Sequence, residues 1–96
     1  MQLQALVMND GDNVATAVRS LMRDETIGIE IGGSTVSVVL LSDIPFGHKL
    51  AIKDIGRGER IVKYGETIGQ SIAMISRGEH VHVHNVVGLR GRGDKT

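Results

Sequence analysis

A chain of 96 residues with 41% hydrophobic side chains, no cysteine and no tryptophan has room for one compact domain, and it excludes disulfide staples and thiolate metal sites. Eleven basic residues balance eleven acidic ones, so no global field favours nucleic acid, and no apolar run approaches the roughly 20 residues of a membrane helix. The first residues carry Asp10 and Asp12 without a basic leader, which reads against a signal peptide and for a cytoplasmic protein.

The only large rings are Phe46 and Tyr64, so packing falls to Val, Ile, Leu, Met and Ala, and thirteen glycines punctuate β-branched runs. That composition predicts a mainly β domain of short strands over residues 1–87. Leu3–Met8 reads as a first strand, ended by Asn9-Asp10-Gly11-Asp12. Asp12 then suits an N-cap, with Val14, Val18, Leu21 and Met22 at helical spacing, so one short helix is expected over Asn13–Met22. Ile27, Ile29 and Ile31 alternate strictly, Gly32-Gly33 supplies a hairpin turn, and Thr35–Leu41 returns. After the break at Ile44-Pro45-Phe46-Gly47, His48–Lys53 alternates again, with His48, Leu50 and Ile52 on one side and Lys49, Ala51 and Lys53 on the other.

The second half contains an echo. Ile55-Gly-Arg-Gly-Glu-Arg-Ile61 and Ile75-Ser-Arg-Gly-Glu-His-Val81 share Ile-x-Arg-Gly-Glu-x-(Ile/Val) at an offset of twenty residues. Each copy reads as a glycine turn launching a strand, Arg60–Lys63 in one case and His80–Val86 in the other. Thr67–Ile75 fits a strand better than a helix because Gly69 lies inside it. The segment 88–96 is rich in glycine and arginine, as a flexible tail or linker would be.

Three clusters have chemical potential. Along a strand, His80, His82 and His84 share one face at about 6.6–7 Å spacing, close enough for two imidazoles to meet one metal or one anion. The same pattern also describes a solvated face that is rich in histidine. Pro45 and Gly47 form a bend that presents His48, a possible general acid or base, and Lys49, a possible carboxylate anchor; an ordinary exposed turn is the plainer account. Tyr64, in Lys63-Tyr64-Gly65, suits a partly buried packing residue with its hydroxyl bonded. Nucleophile-elbow, phosphate-loop and dinucleotide motifs are all absent from the sequence.

Pro45-x-Gly-His-Lys49, Asp54-Ile-x-x-Gly-Glu59, Lys63-Tyr-Gly-Glu66, Ile68-Gly69 and Gly78-Glu-His-Val-His-x-His-Asn85 occur together in this order. As an ordered set they resemble the N-terminal SAF domain of the altronate/galactarate dehydratase family, and equally the small alpha subunit of sulfolactate sulfo-lyase. The resemblance spans about residues 5–87 and implies a β-clip fold. It also implies a lyase that eliminates water, or sulfite in the sulfo-lyase case, from a hydroxy acid, with Fe2+ or Mn2+ as cofactor. Carried onto this chain, it puts His48, Lys49 and Tyr64 in catalysis, Lys49 and Asn85 on the substrate, and His48, His82 and His84 on the metal. Members of the family continue into a large catalytic domain or work with a large subunit. The resemblance therefore implies such a partner and inactivity of this chain alone; from its small size, the chain is expected to expose His48 and the His80–His84 face beside an apolar patch through which the isolated domain self-associates. A non-catalytic SAF module that binds a carbohydrate or a partner surface is the contrasting expectation.

Overall fold

Alternating β-branched residues and glycine turns resolve into nine short strands in the computed structural model, which describes residues 4–7 and 9–88. They are β1 (Ala5–Leu6), β2 (Val14–Ala17), β3 (Thr26–Ile31), β4 (Ser34–Val39), β5 (Lys49–Ala51), β6 (Arg60–Lys63), β7 (Glu66–Ser71), β8 (His80–Val81) and β9 (Val86–Gly88). Every pairing is antiparallel, in a four-stranded sheet β1-β2-β5-β8, a β3-β4 hairpin and a three-stranded sheet β6-β7-β9. Gly32 and Gly33 turn the β3-β4 hairpin with φ of 56° and 82°, the pair of positive values that a type I′ turn demands. Of the tail expected over 88–96, Gly88 ends β9, and residues 89–96, with Leu3 and Met8 of the expected first strand, lie outside the described residues.

The β2–β5 pair is a wall shared by two cores. Alternation sends Ala15, Ala17, Leu50 and Ile52 into one cluster with Leu21, Ile27, Ile29, Val38, Leu40 and Ile44. It sends Val14 and Ala51 into the other, with Ile55, Ile61, Ile75 and Val81. Both cores are aliphatic, since Phe46 is 68% and Tyr64 49% exposed. Each fully buried Ile or Leu contributes about 1.5–3 kcal/mol, so the missing aromatics are offset by number.

The helix expected over Asn13–Met22 is corrected: there is no helix among the described residues, and Val14–Ala17 is β2. Val14-Ala-Thr-Ala-Val18 satisfies a period of two as well as one near 3.6. Val14 and Thr16 are β-branched, and a strand here gains β1 and β5 as neighbours. A helical stripe would have needed to bury Val18 and Met22, which are 37% and 62% exposed. Asp12 caps a different element, its carboxylate accepting the backbone N–H groups of Tyr64 at 3.0 Å and Gly65 at 2.8 Å.

The echo read in the second half is half of a fourfold pattern. Leu21, Ile44, Ile55 and Ile75 are each buried at the entrance to a tight turn. The turns close through Glu25 N–H to Met22 O (3.1 Å), His48 N–H to Pro45 O (3.0 Å), Glu59 N–H to Gly56 O (3.0 Å) and Glu79 N–H to Ser76 O (3.0 Å). The third residue of each has positive φ: Asp24 at 74°, Gly47 at 82°, Gly58 at 88° and Gly78 at 93°. The turns join in pairs, with Leu21 and Ile44 exchanging two backbone bonds of 2.8 Å and Ile55 and Ile75 doing the same. Asp43 accepts the Arg23 N–H at 2.8 Å in the first pair, and Asp54 accepts the Arg77 N–H at 2.9 Å in the second.

Candidate functional site

The Pro45 turn opens directly onto β5, and β5 pairs with β8 so that Leu50 lies opposite His80. That register brings His48, two residues before Leu50, beside His80: the rings stack at 5.1 Å between centroids and His48 Nδ1 lies 2.9 Å from His80 Nε2. His82 completes a trio, stacked 4.2 Å from His48 and 5.3 Å from His80. One ring nitrogen from each of His48, His80 and His82 falls within 4.8 Å of the others, a donor set that could hold a metal ion. His84 touches the edge of the group, its ring 5.3 Å from His80 and tilted by 38°. It is exposed and stands outside the trio, whereas His80 stands inside it.

The histidines share a side for a reason other than the expected strand over His80–Val86. β8 stops at Val81, and His82–Asn85 is a turn closed by Asn85 N–H to His82 O at 3.1 Å. Asn85, only 4% exposed, holds this turn: its Oδ1 accepts from His82 N–H and its Nδ2 donates to His80 O, both at 2.9 Å. Both halves of the amide are therefore spent on the backbone that carries the imidazoles. Asn13 does the same twenty residues earlier in the echo, its Oδ1 accepting from Val62 N–H and its Nδ2 donating to Arg60 O, both at 2.8 Å. Neither role was legible in advance, because a side chain that imitates a strand neighbour is recognisable only once the register is known. Asn85→Ala is expected to cost about 2 kcal/mol or more in urea denaturation, since it strands two backbone groups. If the imidazoles it holds ligate a metal, Asn85→Ala should also weaken binding of Co(II), used as a probe, about tenfold, as loss of a ligand-orienting partner does.

Burial, and then neighbouring positive charge, favours the neutral form of His80 and His82. Burial lowers the affinity of His80 for a proton, and positive charge on His48, His84, His82 and Lys49 acts in the same direction. His82 is lowered too, by desolvation and then by His48, Lys49 and His84. Lys49, half-buried at the start of β5, is lowered by burial and by the like charge of Lys63, and among the described residues no carboxylate pairs with it. Lys49, His82 and Val83 line a cavity of about 240 Å3 together with the apolar Ile61, Ile68, Val81 and Val86. Thr16, directly opposite Lys49 in the β2–β5 pair, keeps its hydroxyl buried and without a partner.

The lowered His80 value has a consequence for stability with a definite sign. Below the unfolded value of about 6.5 the unfolded chain binds more protons at this site than the folded one, so stability rises with pH. Acidifying the metal-free chain from pH 7.5 through 6.5 and below should lower its melting temperature progressively. His80→Gln should flatten that slope; an unchanged slope would remove His80 from the account.

Tyr64 lies elsewhere. It occupies the β6–β7 turn at φ 54°, half-exposed, with Lys63 Nζ 4.8 Å from its ring centroid. Among the described residues no hydrogen bond or ring contact joins it to the histidines and none ties down its hydroxyl, whereas a bonded, partly buried packing role was expected of it. Asp12, absent from the sequence-based candidates, is what fixes that turn.

Comparison with known proteins follows the same residues. A family model for the altronate/galactarate dehydratase SAF domain matches residues 3–89. Altronate dehydratase from Escherichia coli is 39% identical over 83 residues, which is 86% of this chain but 16% of that protein. The alpha subunit of (2R)-sulfolactate sulfo-lyase from Chromohalobacter salexigens is 56% identical over 43 residues, 45% of this chain and 46% of the subunit. Galactarate dehydratase from Escherichia coli is 35% identical over 81 residues, 83% of this chain and 14% of the enzyme. The chain thus spans less than a fifth of the dehydratases it matches. No helix among the described residues is long and apolar enough to cross a membrane. With the family model covering nearly all of the chain and a β-strand architecture beneath it, this protein belongs to the altronate/galactarate dehydratase SAF domain family.

Proposed function

We propose that this chain is the small-domain component of a sugar-acid dehydratase of the altronate type, working with a large catalytic subunit or domain and inactive alone. The observation that carries the reading is the convergence of His48, His80 and His82 beside a half-buried Lys49 that pairs with no carboxylate among the described residues. A domain that served only as a binding module would have no use for three imidazoles whose ring nitrogens lie within 4.8 Å of one another.

The donor set suits a divalent ion. Three nitrogens leave coordination positions open for substrate and for ligands from a partner, and the lowered proton affinity of His80 and His82 favours the form that binds metal. A trio of imidazoles without a carboxylate fits Fe2+ better than Mn2+, which prefers oxygen ligands. When bound there, such an ion supplies Lewis-acid charge to an oxygen of the hydroxy acid. Lys49 holds the carboxylate, where a positive charge favours the enolate that develops as the α proton leaves. Asn85 acts through the turn, fixing the His80 and His82 backbone so that their rings meet. His84 stands at the rim as a reserve ligand or substrate contact, and Tyr64 is left out of this machinery.

The α-proton base and much of the substrate pocket come from the partner, which closes over Val83, 79% exposed at the edge of the cavity. A sulfo-lyase version, with sulfite leaving in place of water, is the second reading; the higher local identity to the sulfo-lyase alpha subunit favours it. Co-expression with a large dehydratase-type subunit should give a complex that dehydrates altronate while neither chain does so alone. Full activity from the large chain by itself would overturn the proposal, and sulfite release from sulfolactate would transfer it to the second reading.

A further inference from the structure

We infer that Pro45 is a positioning residue for His48: it withholds the backbone N–H that would otherwise hold residue 48 inside its turn. The inference rests on reading the imidazole trio as a metal site.

The three other turns of the fourfold set show what residue 48 would ordinarily do. Glu25 Oε1 accepts the Met22 N–H at 2.6 Å, Glu59 Oε1 accepts the Gly56 N–H at 2.7 Å, and Glu79 Oε1 accepts the Ser76 N–H at 2.8 Å. In each, the side chain following the positive-φ residue folds back onto the N–H three residues earlier. The turn is self-contained, and its carboxylate is committed. In the fourth copy both partners of that bond are replaced together, the acceptor by His48 and the donor by Pro45, which has no N–H. The backbone closure survives, since His48 N–H still reaches Pro45 O at 3.0 Å. Only the side-chain lock is gone, and the His48 ring lies against His80 and His82 instead.

Turn formation does not account for the proline. Proline favours the second position of such a turn, where its fixed φ is an advantage, and that position here is Phe46. At the first position its distinguishing property is the missing donor. A donor there would compete for the lone pair of a ring nitrogen that the trio needs.

The test uses the 96-residue chain and Co(II), whose absorption reports nitrogen ligation directly, together with thermal melts. Pro45→Ala restores the N–H at an exposed position and is expected to weaken Co(II) binding at least fivefold. The melts carry a second arm: Pro45→Ala should raise the melting temperature by several degrees on a His48→Glu background, where it rebuilds the glutamate lock, and not on the native background. Unchanged Co(II) affinity in Pro45→Ala, or equal temperature shifts on the two backgrounds, would overturn the inference. Should the native chain bind no Co(II), the metal reading fails by itself, and the thermal comparison alone then decides whether Pro45 governs the turn.

Discussion

Gly78→Ala is expected to lower the melting temperature of this domain further than any other single methyl addition at its turns. The residue has φ of 93°, where a side chain costs about 1–2 kcal/mol before any contact is considered. A β-carbon there would also lie 2.2 Å from the Val39 carbonyl oxygen, far inside contact distance. Neither side can yield, because Gly78 N–H donates to Ala51 O at 2.8 Å and its own carbonyl accepts from Leu41 N–H at 2.9 Å. Relieving the overlap means breaking the seam that joins the Ile75 turn to the end of β4 and to β5. The loss should be roughly 3 kcal/mol or more, about 12 °C or more for a domain of this size. Gly33→Ala is the control: φ is 82°, but nothing lies within 4 Å of the added carbon, so only the conformational cost applies. Melts followed by circular dichroism compare the two, and equal shifts would mean that the Val39 contact does not constrain the chain.

The second large effect concerns the imidazoles. His82→Ala should reduce the affinity of the chain for Co(II) by on the order of 100-fold or more, since loss of a direct ligand exceeds the 10- to 100-fold typical of an orienting partner. His84→Ala should change it less than threefold, because His84 meets only the edge of the group. In a complex reconstituted with a large subunit, turnover should follow the same order, with His48→Ala and His80→Ala grouped with His82→Ala. A chain in which His84→Ala is the more damaging change would place the ion one turn further out than the trio. Unchanged metal content and turnover in His82→Ala would remove the metal assignment altogether.

What the amino-acid order revealed, and what it hid, follows from how local each determinant is. The hairpin around Gly32-Gly33 was legible because two adjacent positions that tolerate positive φ, flanked by alternating isoleucines, leave few alternatives. Alternation in His48–Lys53 likewise placed Leu50 and Ile52 in one core and Ala51 in the other. Val14–Ala17 failed because the spacing there serves helix and strand equally, and β5, more than thirty residues away, decides between them. Two of the four turns escaped notice because each changes more than one residue of the Ile-x-Arg-Gly-Glu-x-(Ile/Val) signature. Asp24 replaces the glycine in the first, and His48 replaces the glutamate in the second. At the site, the grouping of His80, His82 and His84 was expected from a strand, whereas the Asn85 turn holds the backbone of His80 and His82, His84 meets only the edge of the group, and both His80 and His82 lie against His48.

The wall between the two cores has a kinetic meaning for the site it carries. β2 and β5 cannot open without exposing both aliphatic clusters at once, so their amides should exchange with solvent only through global unfolding, with Leu50 and Ala51 among the slowest. His48 sits one residue before the slow strand, while His82 and His84 belong to a turn whose neighbour Val83 is almost fully in solvent. One imidazole of the proposed metal site is thus anchored to the most persistent part of the molecule and another to a part free to adjust. An arriving ion would close the trio from the His82 side, and its capture should leave deuterium uptake in β5 unchanged while slowing it across residues 82–85.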